Sequence, residues 1–318
     1  MDVRQTITDQ IIAAMEAGPP PWRKTWASGQ GLATNYLTKK SYQGVNQLLL
    51  GMAGQDHSLW LTYRQAQSIG AQVRKGEQGS HIVKMVEVDR RQAERDVRSG
   101  AELVAQDERK ALVMKVYTVF NVSQIDGLPP LPQPGPKREL APAVEALIFG
   151  LQDTGLKLNI GGGQPAYIPK LDRLDIPAAT AFESIEDFHS VLLHEAGHST
   201  GHLKRLARFD LDSFALMDRA REELVAELAS VYTGQLLGLP PGPTLLASHS
   251  SYIASWLQVL KGDKNEIFKA AAQAQRAADY LGQWVPEAAL IDKPSNGIVA
   301  PELHLEATSV PTQSRVRL

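Results

Sequence analysis

The chain has 318 residues, 43% of them hydrophobic and 21% charged, and a formal net charge of −2. That length suits two domains better than one, and the apolar content can fill their cores. There is no cysteine, so disulfides, cysteine-based zinc fingers, iron–sulfur clusters and thiol nucleophiles are excluded. No run approaches the roughly eighteen apolar residues that cross a bilayer. The opening MDVRQTITDQIIAAMEAG carries Asp2 and Asp9 and lacks an apolar stretch of leader length. A cytoplasmic protein with no membrane partner is expected.

Charge is uneven along the chain. Up to residue 135 there are 16 Lys and Arg against 13 Asp and Glu, whereas the remainder is acidic. Trp22, Trp26 and Trp60 place three of the five tryptophans in the basic part. A basic, tryptophan-rich region beside an acidic one points to two jobs.

Taken in order, apolar spacing predicts a helix over 4–17, stopped by Gly18 and the prolines at 19–21. Short helices are expected at 44–54 and 63–70. The β-branched alternation of 81–88 and 111–122 predicts two paired strands, joined through a highly charged, solvated excursion at 89–110. GLPPLPQPGPKRELAP (127–142) can sustain neither a helix nor an inner strand and reads as a stiff connection. Beyond it come a helix at 142–153, strands in LKLNIGGG and QPAYIP, and an edge strand at 171–176. Glycines 161–163 form a plain turn, because the strand–loop–helix context of a phosphate loop is missing. Helices are expected at 184–200, 218–237, 249–260 and 264–284, followed by a loose tail.

The sharpest chemical signal is His194-Glu195-Ala196-Gly197-His198. On a helix, residues four apart share a face, so both imidazoles can meet one metal ion with Glu195 beside it. A metal ion there acidifies water, and Glu195 is placed to take the proton as general base. The apolar Val191-Leu192-Leu193 before it makes two surface histidines the weaker reading. A catalytic site of this kind needs a third protein ligand, and Lys204 stands where a third histidine would. The helix REELVAELAS offers Glu222, Glu223 and Glu227 instead. Glu223 is taken as the ligand and Glu227 as the carboxylate behind a histidine, against the alternative of an ordinary acidic face. His202 lies past the helix end, as a capping surface residue or as a group that polarises a substrate carbonyl. Lys204, Arg205 and Arg208 read as a solvated basic face. Two imidazoles and a carboxylate suit zinc best, with manganese, cobalt or nickel able to occupy the same set.

In the basic part, PWRKTW places Trp22 and Trp26 around Arg23 and Lys24. NYLTKKSYQGVN sets Tyr36 and Tyr42 around Lys39 and Lys40, and Arg64, Arg74 and Lys75 follow. Flat rings among cations suit single-stranded DNA, where bases stack and phosphates pair with little sequence preference. Read singly, each tryptophan is as readily a core residue, Trp60 in SLWLTY above all.

PWRKTW, TNYLTKKSYQGVNQLLL, TYRQA, GAQVRKGEQGS and VFNVSQIDGL resemble the N-terminal, single-stranded DNA-binding domain of the ArdC antirestriction family. AYIPKLDRLDIP, HEAGHSTGH, EELVAEL, SYIASWLQVL and AAAQAQRAADYL resemble the zincin-like metallopeptidase domain that follows it there. The resemblance spans nearly all of 1–285. It implies protection of incoming plasmid DNA from host restriction and favours Glu223 over Glu222, through the spacing of the EELVAE block. It departs at Ser199, where such domains often carry an aromatic. The expected fold is α+β. A small mixed α/β DNA-binding domain occupies 1–128, and a Pro-rich linker follows at 129–141. The mostly helical zincin-like domain, with a small antiparallel sheet, occupies 142–290, ahead of a tail at 291–318. A gluzincin-type peptidase with LDRLDI as the edge strand for an extended polypeptide substrate is the leading reading. The competitors are a DNA-coating protein with a structural or vestigial metal site, and a metal-dependent nuclease. The nuclease would need more carboxylates than this set supplies.

Overall fold

Asp2 accepts the amide of Gln5 at 3.0 Å and starts helix α1 (Val3–Glu16), whose buried side is the stripe Val3, Ile7, Ile11 and Met15. The computed structural model describes residues 2–18, 20–22, 31–55, 57–107, 109–129, 141–161, 163–208, 216–239 and 250–286. Arg23, Lys24 and Trp26, the greater part of the Pro-rich connection and the tail after 286 lie outside the described residues.

The N-terminal region is built on a five-stranded sheet ordered β1 (Thr34–Asn35), β2 (Leu59–Thr62), β6 (Lys110–Asn121) and β4 (Ser80–Asp89), with β5 (Glu102–Gln106) also pairing β6. β4 and β6 run antiparallel from Ser80 opposite Val119 to Asp89 opposite Lys110, which is the pairing the alternation predicts. α2 (Val45–Met52) and α3 (Tyr63–Ser68) fall in the expected places, the second started by a Thr62–Gln65 capping box. A small ladder of β3 (Gln72–Val73) with β7 (Ile125–Asp126) completes the region. The charged stretch 89–110 is not a solvated excursion. It folds into α4 (Arg90–Arg98), capped by Asp89, and β5, with Ala93 buried beneath the charges.

The second region holds α5 (Ala141–Asp153) and a three-stranded sheet ordered β8 (Lys157–Ile160), β10 (Arg173–Ile176), β9 (Ala166–Ile168). This sheet is mixed rather than antiparallel, because β10 pairs β8 in parallel and β9 in antiparallel fashion. LDRLDI is therefore its centre and not its edge. Four helices follow: α6 (Ile185–Ser199), which packs on β9 and β10, α7 (Leu216–Leu237), α8 (Ser250–Gly262) and α9 (Glu266–Gly282). Leu224, Val225, Ala226, Leu228 and Ala229 of α7 are consecutive enough to be buried on every side, which marks it as the central helix.

The two regions share one core. Val3, Ile7, Ile11, Met15, Trp22, Val45 and Leu48 pack in the same cluster as Leu224, Leu228, Tyr232, Trp256, Ile267 and Ala271. Polar contacts tie the same seam: Thr8 donates to the Lys264 carbonyl at 2.8 Å, and the Tyr232 hydroxyl to the Gly44 carbonyl at 3.0 Å. Gly44 has φ +57°, a conformation that glycine takes without the cost of a side chain. Burying Trp22 alone contributes on the order of 2–3 kcal/mol. Among the described residues, no helix is long and apolar enough to cross a membrane.

Candidate metal centre

Ser184 caps α6 by accepting the Asp187 amide at 3.1 Å, and Glu186 and Asp187 add favourable charge at its first turn. In its second half, the helix presents His194 and His198 on one side. Their Nε2 atoms are 3.2 Å apart. Oε2 of Glu223, from α7, lies 3.4 Å from the first and 3.5 Å from the second. Three ligands about 2.0–2.1 Å from a tetrahedral ion are about 3.3–3.4 Å from one another, so this near-equilateral triangle fits a single divalent ion. It is the one such group of three among the described residues.

Each imidazole has a carboxylate behind it. Glu222 Oε1 lies 3.4 Å from Nδ1 of His198, and Glu227 Oε2 lies 3.9 Å from Nδ1 of His194. Glu222 is thus turned away from the triangle. Arg208 holds it with bonds of 2.8 and 3.2 Å and also donates to the Gly197 carbonyl at 2.9 Å. Burial opposes a charge on His198. The bonds to Glu222 and Glu223, with the charge of Glu195, outweigh it and push its pKa up to about 10. Burial likewise opposes the charge on Glu223, but the two imidazoles hold its carboxyl well below the usual range. Glu195 is buried and accepts the main-chain N–H of Tyr167, on β9, at 2.7 Å. The Tyr252 phenol is pushed up, first by the charge of Glu223, then by burial, with the charge of Glu195 adding to it.

Behind the triangle is a second buried network that sequence patterns did not disclose. The guanidinium of Arg205 is wholly enclosed, donating to the Ser199 carbonyl at 2.6 Å, Thr154 at 3.2 Å, the Tyr167 hydroxyl at 3.1 Å and both oxygens of Asp172. Arg205 and Arg208 are therefore not a solvated face; Lys204 alone of the three is exposed. His202 is not a surface cap either. It is buried, accepts the Lys204 amide at 3.2 Å and lies 3.6 Å from Asp172. Burial lowers its pKa, with Asp172 opposing. Thr154, Tyr167 and Asp172 lie 33–51 residues before Arg205, so only the motif RLARF itself could have drawn attention.

The residues singled out for DNA fall into different surroundings. Trp22 is 1% exposed and packs on Trp256, so its rings are not available for stacking on bases. Tyr42 is half-buried, with its hydroxyl accepting from Asn35 at 3.2 Å. Lys39, Lys40, Arg64 and Lys75 are exposed, and the Lys39 ammonium sits 4.4 Å above the Tyr36 ring. Exposed Arg74 is already paired with Glu77 at 2.8 Å and Asp126 at 3.4 Å.

A helix bearing H-E-x-x-H, a glutamate from the next helix and a small mixed sheet beside it define a zincin-like protein. Comparison with known proteins agrees: residues 142–273 match the model of a zincin-like metallopeptidase domain, and residues 1–120 that of the N-terminal domain of anti-restriction factor ArdC. The chain resembles the crystal structures of the antirestriction protein ArdC from plasmid R388, metal-free (TM-score 0.71) and Mn(II)-bound (0.70). Identity is 36%, covering 89% of this chain and 98% of that one. It is also 37% identical to the uncharacterized protein y4eC of Sinorhizobium fredii, covering 88% of this chain and 91% of that protein. DNA primase TraC of Escherichia coli is 36% identical over 289 residues, but the chain spans only 20% of that protein's length. The chain belongs to the ArdC antirestriction family.

Proposed function

We propose that this protein protects incoming plasmid DNA from host restriction by binding single strands with its N-terminal region, and that its second region hydrolyses a peptide bond. The hydrolytic half rests on one observation, the triangle of His194 Nε2, His198 Nε2 and Glu223 Oε2 with edges of 3.2–3.5 Å. Those three side chains would hold the ion, and Mn(II) in the related R388 protein supports a divalent one; zinc, manganese and cobalt all fit the donor set. A bound ion supplies Lewis-acid chemistry, polarising a carbonyl and acidifying water.

The protein's own groups do the rest. Glu195 takes the proton from the attacking water and passes it to the leaving nitrogen. Glu227 and Glu222 orient the imidazoles from behind. The open side of β9, not LDRLDI, is the strand beside Glu195 and is the place for an extended polypeptide to pair. The DNA half rests on the family match together with exposed Lys39, Lys40 and Arg64; Arg23, Lys24 and Trp26 belong to the same reading.

Conjugative transfer into a restricting recipient tests both halves. Glu195→Gln is expected to lower transfer to the level of cells lacking the protein, while oligonucleotide affinity stays unchanged. Full protection by Glu195→Gln would leave a DNA-coating role and remove the need for hydrolysis.

A further inference from the structure

Trp22 is more than two hundred residues from Glu227 in sequence and touches it in space. Its indole Nε1 donates to Glu227 Oε1 at 3.4 Å. The other oxygen of that carboxylate faces Nδ1 of His194 at 3.9 Å. Glu227 is 1% exposed, and a buried carboxylate is costly unless donors reach it. An aliphatic or phenyl side chain would fill the same core without supplying one. The indole thus does two things for the carboxylate. It compensates one oxygen, and it fixes the rotation that leaves the other aimed at the imidazole. Holding the outer nitrogen of a ligating histidine sets its tautomer and directs Nε2 to the ion.

We propose that Trp22 is a positioning residue for divalent-cation binding, so that the N-terminal region supplies, through one indole N–H, the contact that aims Glu227 at His194. This rests on the reading of His194, His198 and Glu223 as the cation site. The DNA-binding region and the metal centre are then one structural unit, and whatever displaces residues 20–22 weakens cation affinity.

Calorimetric titration of the metal-free, full-length protein with Mn(II) tests this. Trp22→Phe keeps an aromatic ring and removes the donor, and is expected to raise the Kd about three- to tenfold. That is less than the roughly ten- to hundredfold expected when Glu227→Leu removes the carboxylate itself. In the double variant, Trp22→Phe adds nothing to Glu227→Leu, because the indole acts only through that group. Ile11→Val trims the same core without touching a polar atom and is expected to leave the Kd unchanged. An unchanged Kd for Trp22→Phe, effects that multiply in the double variant, or an equal loss in Ile11→Val would each overturn the proposal. Wild-type protein that binds Mn(II) no better than His194→Ala would instead remove the cation site on which it rests.

Discussion

The main-chain N–H of Tyr167 donates to Oε2 of Glu195 at 2.7 Å, tying the edge strand of the small sheet to the middle of the H-E-x-x-H helix. The carboxylate is therefore held by backbone rather than by a side chain that mutation could delete. Two features of the site follow: the Glu195 carboxylate cannot rotate freely, and a polypeptide pairing with β9 would lie against it.

Glu195→Gln preserves an acceptor for that amide. The folded protein should lose about 1 kcal/mol or less and keep its divalent ion, while any hydrolysis falls by at least about a hundredfold. Urea denaturation and elemental analysis of the same preparation check this, and loss of the ion would mean that Glu195 is itself a ligand.

Arg205 and Asp172 form a buried pair, and removing one partner leaves the other charged and uncompensated. Asp172→Asn keeps a residue tolerant of the left-handed backbone at that position, φ +44°. It should cost about 3–5 kcal/mol at neutral pH. Burial works against the charge on Asp172, yet the bonds from Arg205 and Tyr167 outweigh it and hold the carboxyl below its ordinary value of 3.8. A depressed carboxyl stabilises the fold above its unfolded pKa and loses that contribution as pH falls through the folded one. The gap between wild type and variant should therefore be full at pH 5 and above and narrow below about pH 4. A gap that is constant down to pH 3 would contradict the assignment.

Gly197 lets α6 and α7 approach closely enough to bring Glu223 to the imidazoles. A Cβ there would sit 3.2 Å from the Ala226 carbonyl oxygen and 3.4 Å from the Cβ of Ala229. Gly197→Val should cost about 1–3 kcal/mol through overpacking and weaken divalent-ion binding together with stability. Thermal denaturation with and without Mn(II) reads both effects; a variant stabilised by Mn(II) as much as wild type is would detach this contact from the site.

Lys39, Lys40 and Arg64 are exposed, whereas Arg74 is engaged with Glu77 and Asp126. Lys39→Glu with Lys40→Glu should weaken binding to a thymidine oligonucleotide and flatten its salt dependence by about one to two ion equivalents. Arg74→Ala should do less. Fluorescence anisotropy across a salt series checks the order, and an equal effect of Arg74→Ala would overturn it.

What could be read from the residues was what local spacing encodes. The helix carrying His194 and His198, the helix carrying Glu223 and the β4–β6 strand pair all follow from periodicity and come out within a few residues of expectation. Edge and centre of a sheet differ in hydrogen-bond partners, not in side-chain alternation. Leu174 and Ile176 inward with Arg173 and Asp175 outward therefore look the same in either position, so the alternation of LDRLDI does not separate an edge from a centre. Charge density hid α4 and β5, where a single buried Ala93 carries the inner face. Trp22 beside two cations reads as a stacking ring because its partners, Trp256 and Glu227, belong to the other end of the chain. Arg205 and Arg208 read as a solvated face for the same reason, since Asp172 and Glu222 meet them only after folding.

The most direct test of the central claim is the divalent-ion stoichiometry of wild-type protein and of His194→Ala, His198→Ala and Glu223→Ala, by calorimetric titration of metal-free preparations. One ion per chain in the wild type, with binding lost in all three variants, is the expected result. Wild-type binding retained in Glu223→Ala, or no binding by the wild type, would contradict a site shared by these three side chains.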